Sequence, residues 1–282
     1  MRFATGFESV RKGWPGLCLL VLAAPCRGAQ VDTGCGLESV RMRFQEGEFQ
    51  QALAGLEACP KAKEYTRLKG LIHHGWFKPD SAAHYLRIAY KDGFHDDEVL
   101  VGLAESLLWL KQTDKAEPLL EKVKDKKAPA YLKAMATRYE MKRDFPKALA
   151  MYDQAIPAEK RPYITLFRKA MLLSWMDRLD ESIALYTRLI DDEKVPAPFR
   201  AKCRIRRAEA ISWKKELEPA VAELREVIKL DPKNPDAKLQ LGEILEWQGR
   251  FKEAKDQYRD VLVADPENPV AKQRLEKLLW VK

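Results

Sequence analysis

All four histidines of the chain, His73, His74, His84 and His95, fall within 23 residues. Such a density raises the question of a metal centre. A metal would want convergent ligands, such as a pair one helical turn apart. Adjacent His73 and His74 point about 100° apart on a helix, and His84 belongs to the opposing helix, so no metal is expected. The other arrangements that do chemistry are missing too: there is no phosphate-cradling Gly-rich loop, no nucleophile elbow and no His-Glu metal helix. Acid pairs such as Asp191-Asp192 fall in turns between helices, where they cap and solvate. The basic cluster Lys202, Arg204, Arg206 and Arg207 spreads around a helix, a solvated face and not a nucleic-acid surface. The residues predict neither an enzyme nor a bound cofactor.

Cysteine chemistry is more promising. Cys18 and Cys26 lie in an N-terminal segment that reads as an address; Cys35, Cys59 and Cys203 follow it. Cys35 lies five residues before Val40, and Cys59 seven after Ala52, two positions where a pair of antiparallel helices is expected to cross. The cysteines then fall opposite each other within about half a turn. A disulfide there would staple the first hairpin, contributing roughly 3 kcal/mol by loop closure, given an oxidising compartment. Cys203 reads as a small buried hydrophobe.

Residues 1–28 support that compartment. Arg2, Arg11 and Lys12 precede an apolar run from Leu17 to Ala24, followed by Pro25 and small residues. A basic start, a short apolar stretch and a small-residue exit make a secretory signal peptide, too short to span a bilayer. Ala23-Ala-Pro-Cys26 also resembles a bacterial lipobox, to which the proline is a poor fit; membrane association is expected only if Cys26 carries a lipid. A chain that kept residues 1–28 would instead be cytosolic.

The elements that position these residues follow from composition and period. The chain has 282 residues, 46% hydrophobic and 33% charged, with 14 Gly and 16 Pro, which excludes collagen-like, disordered and polytopic membrane classes. The formal charge of +8 comes from acids and bases interleaved along the chain, weak evidence for nucleic acid. A ladder of small residues recurs at Ala52, Ala82, Ala116, Ala148, Ser182, Ala220 and Ala254, 30 to 38 residues apart. Twelve residues before each anchor stands another compact residue: Val40, Gly70, Ala104, Ala136, Ala170, Ala208 and Gly242. Four after each stands a large one: Leu56, Leu86, Leu120, Tyr152, Tyr186, Leu224 and Tyr258. Steps of four and seven mark one helix face, so each unit is two antiparallel helices crossing at the small residues. Pro146 and Pro219 open second helices, whereas Pro118 sits deeper and is expected to perturb its helix. Asp231-Pro232 and Asp265-Pro266 stop two second helices one period apart. A lone hairpin cannot bury its apolar face; stacked neighbours can.

These residues resemble the tetratricopeptide repeat (TPR) family. Residues 235–268 match its pattern through Leu241-Gly242, Gly249, Phe251, Ala254, Tyr258 and Pro266. Residues 201–234 match well, and 129–160 and 163–200 less fully. The units near 33–60, 63–95 and 97–127 keep the register but are degenerate, with Pro79 in place of the usual aromatic. The resemblance implies an all-α, right-handed superhelix of about seven hairpins over residues 33–282, with 269–282 as a cap helix. It also implies a concave groove lined by first helices, onto which family positions transfer as Ile164, Phe167 and Met171, then Ile205 and Glu209, then Leu239 and Glu243. The Lys/Asn/Arg set that clamps a peptide carboxylate in some members is missing.

Trp109, Trp175, Trp213 and Trp247 share one register, seven residues before the anchor. Large rings usually bury much of their area, which makes a structural ladder over the hairpin turns the first reading. The second is an aromatic track for peptide side chains or sugar rings. Leu-Ser-Trp175-Met-Asp-Arg and Leu-Glu-Trp247-Gln-Gly-Arg look like bacterial envelope repeat proteins, some of which accompany exopolysaccharide export. The expectation is therefore a non-catalytic, exported scaffold, periplasmic or secreted, that binds a protein partner in an envelope assembly. The alternatives are a glycan-contacting module of a polysaccharide export system and a cytosolic adaptor or co-chaperone.

Overall fold

The computed structural model describes residues 36–60 and 64–279. The expected signal peptide 1–28, Cys26 and Cys35 lie outside the described residues. Where residues are described, all regular structure is helical, and the helices alternate as the small-residue ladder requires.

The first hairpin is α1 (Leu37–Gln45) and α2 (Phe49–Glu57); the second is α3 (Tyr65–Gly75) and α4 (Pro79–Lys91). The third is α5 (Asp97–Trp109) and α6 (Thr113–Lys122). In the fourth, α7 (Pro129–Met141) pairs with α8 (Phe145–Ala155), which runs into a 3₁₀ turn at Ile156–Ala158. The fifth is α9 (Tyr163–Trp175) and α10 (Leu179–Asp191), and the sixth α11 (Ala197–Trp213) and α12 (Leu217–Leu230). The seventh is α13 (Pro235–Trp247) and α14 (Phe251–Ala264), after which α15 (Pro269–Leu278) closes the described chain.

The reason for the ladder is visible at each crossing. Every anchor from Ala52 to Ala254 is fully buried, as is the large residue four positions on. A Cβ placed on Gly70 would lie 2.6 Å from Leu86 Cγ and 2.9 Å from its backbone nitrogen. On Gly242 it would lie 2.5 Å from the buried Tyr258 ring. The fifth unit substitutes a serine: Ser182 Oγ donates to the Ala170 carbonyl at 2.8 Å and shares a 2.6 Å hydrogen bond with Ser174. That bonding removes the penalty of a buried hydroxyl.

The turns inside the hairpins share one conformation. Five residues before each anchor the backbone enters the left-handed region, at Gly47, Phe77, Lys111, Arg143, Asp177, Lys215 and Gly249. The following N–H returns to a carbonyl five residues back, as in Gln112 to Leu107 (2.8 Å) and Arg250 to Leu245 (2.9 Å). This closes the first helix and reverses the chain within three residues. Between hairpins, Asn234 and Asn268 cap α13 and α15 through Ala237 and Ala271 N–H at 3.0 and 3.1 Å. Pro118 lies inside α6, which is ten residues long against thirteen in α4 and α10.

α15 caps the stack as expected, burying Ala271 and Leu278 against the α13–α14 hairpin. The core thus continues through the array: Leu71 to Ala134 in one cluster, Leu166 to Cys203 in another, Ile205 to Leu278 in a third.

Candidate functional site

The first helices of successive hairpins line two cavities. One, of about 390 Å³, is bordered by α1, α3, α5, α7 and α9 and the turns beside them. The other, of about 480 Å³, is bordered by α11, α13, α14 and α15.

The floor of the first cavity is a buried polar network that sequence reasoning missed. Glu105 on α5 receives Arg168 Nη1 from α9 at 2.9 Å and Thr137 Oγ1 from α7 at 2.9 Å, and its second oxygen meets His74 Nε2 from α3 at 3.1 Å. Arg168 Nη2 also donates to Thr137 Oγ1 (2.7 Å) and to Glu140 (3.1 Å), whose other oxygen accepts from Tyr152 Oη at 2.5 Å. Burial alone would raise the Glu105 carboxyl, but the His74 hydrogen bond, the Arg168 charge and the Thr137 hydroxyl outweigh it and hold it down at about 2. The signal was present: Glu105 is the one charged side chain between Val99 and Leu110, a stretch that is otherwise apolar apart from Ser106. A carboxylate there is stable only if cations meet it.

Four of the seven expected groove positions border a cavity. Ile164 lies on the first; Ile205, Leu239 and Glu243 converge on the second beside Lys202, Arg206, Gln240 and Arg274. Glu243 is bonded to Arg274, and Glu209 to Arg206 at 2.8 Å within its own helix. The Gln240 amide nitrogen is buried without a partner. Met171 packs half-buried against the core. Phe167 departs from the expectation: it is 5% exposed, with its ring 5.7 Å from Tyr186 and 5.2 Å from Phe199. Its step on α9 turns it into the interface between hairpins, where three rings fill the space.

The tryptophans divide. Trp109 stacks on His74 at 5.3 Å and meets Phe77 of the preceding turn at 5.4 Å, on the wall of the first cavity. Trp175 likewise meets Phe145, which opens α8 of the preceding unit, at 6.4 Å. Both indoles cover the edge of the hairpin before, yet Trp175, Trp213 and Trp247 keep 51%, 38% and 47% of their surface exposed.

Cys59, buried at the end of α2, is engaged in a disulfide; Cys35, its expected partner, lies outside the described residues. Cys203 is fully buried and free. The histidines take separate roles: His73 stacks on Tyr85 at 5.6 Å, and His95 Nε2 meets the Tyr90 carbonyl at 3.0 Å. Among the described residues no group of three His, Cys, Asp or Glu side chains could hold a metal ion, and no helix is long and apolar enough to cross a membrane.

Stacked hairpins with a cavity-bearing first-helix face define an all-α repeat solenoid, a scaffold of the kind used for protein–protein contact. Residues 215–278 match the tetratricopeptide repeat family. Its fold is similar to that of a tetratricopeptide repeat protein from Parabacteroides merdae (TM-score 0.58, 17% identity, covering 85% of this chain and 96% of that one). It is also similar to a chain of the APC/C hetero-tetramer Cut9–Hcn1 (TM-score 0.64, 11% identity, 86% of this chain); the present chain spans only 49% of that chain. A third similar structure is pilF of Pseudomonas aeruginosa (TM-score 0.52, 17% identity, 64% and 83% covered). No curated protein matches the sequence.

Proposed function

We propose that the protein is a non-catalytic, exported scaffold that holds a protein partner along its first-helix face within a cell-envelope assembly. The observation that carries this reading is the convergence of Ile205, Leu239 and Glu243 on one cavity with the unpaired Gln240 amide. A buried donor without an acceptor costs free energy until a ligand supplies one, and a peptide carbonyl is the commonest such group. Export is supported by the composition of residues 1–28 and by the disulfide at Cys59, a bond that persists in oxidising compartments. In-cell photo-crosslinking from Leu239 or Met171, followed by mass spectrometry, tests it. A specific envelope-protein adduct is the expected result; no protein adduct from the exported, folded chain would overturn it.

A second reading has its own support. The exposed indoles of Trp175, Trp213 and Trp247 recur once per hairpin, a spacing that suits stacking on sugar rings of a polymer. Quenching of tryptophan fluorescence by oligosaccharide, lost when these three are replaced by alanine, would favour it. Unchanged fluorescence would remove it.

A further inference from the structure

The first cavity is built differently from the second. One end is aromatic: Phe44, Phe49, Phe77 and Trp109 come from three successive hairpins. At the other end Tyr163 and Ile164 stand beside Lys133 and Arg161. Lys133 is neutralised by Glu159 at 3.0 Å, and Arg168 by Glu105 and Glu140. Arg161 has no carboxylate partner among the described residues. It also borders a smaller hollow with Lys160, Arg188 and Lys194, where Asp192 is the acidic neighbour. The field at this end is therefore positive. At the aromatic end Glu46, likewise unpaired among the described residues, makes it negative.

We propose that this cavity takes an extended segment of a partner protein whose large apolar side chain sits among Phe44, Phe49, Phe77 and Trp109, and whose carboxylate, a few residues away, is held by Arg161. The inference rests on the reading of the first-helix face as a partner-binding surface and adds the chemistry of what it selects. Aromatic walls supply most of the area at low conformational cost, since their rings are already fixed against one another. An unpaired guanidinium offers a carboxylate two parallel hydrogen bonds. Glu46 repels an acid at the aromatic end, so the charges fix the direction in which the segment lies. Between the two ends stand the polar atoms of His74, Glu105 and Arg168, which suit a peptide backbone and not a continuous acyl chain.

Fluorescein-labelled Gly/Ser decapeptides carrying one Phe and one Glu, two to four residues apart, test this by anisotropy on the exported chain. At one of these spacings the Phe/Glu peptide is expected to bind at least tenfold more tightly than versions with Phe→Ala or Glu→Lys. Arg161 is exposed, so Arg161→Glu should fold normally and reverse the preference toward the Lys peptide. An unchanged ranking in Arg161→Glu, or no preference among the peptides, overturns the proposal. A protein adduct from Leu239 that survives Arg161→Glu while the peptides fail would leave the scaffold reading standing and remove this one alone. Equal binding of decanoate and the Phe/Glu peptide, both lost in Arg161→Glu, would replace the peptide by a fatty acid and also overturn it.

Discussion

Arg168 reaches across an entire hairpin to bond Glu105, 63 residues earlier in the chain, at 2.9 Å. Thr137 of the intervening hairpin donates to the same carboxylate oxygen and accepts from the same guanidinium. Both ionic side chains are almost fully enclosed, with 15% and 6% of their surfaces exposed. Glu105→Leu would leave a buried guanidinium short of its partner and should cost about 3–5 kcal/mol. The double variant Glu105→Leu/Arg168→Met should recover most of that loss. Urea denaturation of the three chains checks both statements.

The same carboxylate gives the fold an acid limit. Its pKa is about 2 in the folded chain against an ordinary value of 4.5. Between those values the unfolded state binds the proton and the folded state does not, so falling pH favours unfolding. The contribution, about 3 kcal/mol, is fully present above about pH 4.5 and is lost as pH falls to about 2. Urea midpoints measured across that interval should fall for the wild type and show a smaller step in Glu105→Gln.

Close crossing leaves no room at Gly70. Gly70→Ala brings a Cβ against the Leu86 backbone, and overpacking of this kind costs about 1–3 kcal/mol. The better helix propensity of alanine returns about 1 kcal/mol. A net loss of roughly 1 kcal/mol in thermal unfolding is expected, whereas a gain would show that α3 and α4 can part without cost.

Lys111 and Lys215 hold left-handed backbone angles, φ 59° and 67°, that their side chains disfavour. The first and last hairpins place glycine at this step. Lys215→Gly should therefore stabilise the chain, by up to about 1 kcal/mol once the greater freedom of unfolded glycine is subtracted. A rise in melting temperature is the expected result.

Cys203 should be chemically silent. Burial pushes its thiol up to about 12, and none of its surface is exposed. Iodoacetamide at about pH 8 should leave it unlabelled in the native chain and label it in denaturant. Native labelling would mean that α11 opens readily.

Most of the fold was legible because one geometric demand, two helices crossing where side chains are small, imposes itself seven times. Ala148 and Tyr152 announce the fourth hairpin as plainly as Ala254 and Tyr258 announce the last. The groove was less legible. Register places a residue on a helix face, but it does not say whether the neighbouring hairpin covers that face: Ile205 and Leu239 reach a cavity, while Phe167, at an equivalent step, is covered by Phe199. The Glu105 network escaped because its members lie at three different offsets from their anchors: His74 eight residues before, Glu105 and Thr137 eleven, Arg168 fourteen. They meet only through the stacking of α3, α5, α7 and α9, and no single repeat displays the pattern. The turn residues were legible at Asp177 and Gly249 but not as a series, for the opposite reason. The conformation repeats while the residue types, from Phe77 to Lys215, do not.

A stack of hairpins is mechanically a spring, because each unit touches little beyond its neighbours and small rotations between units add along the array. The bond from Arg168 to Glu105 is a tie that skips one coil. It fixes the pitch of the third, fourth and fifth units together, and the bending of the array is left to the hairpins on either side. The end of the cavity formed by Lys133 and Ile164 is held by that tie, whereas the aromatic end carries Phe44 and Phe49 of the untied first hairpin, so the clamp has one stiff jaw and one compliant one.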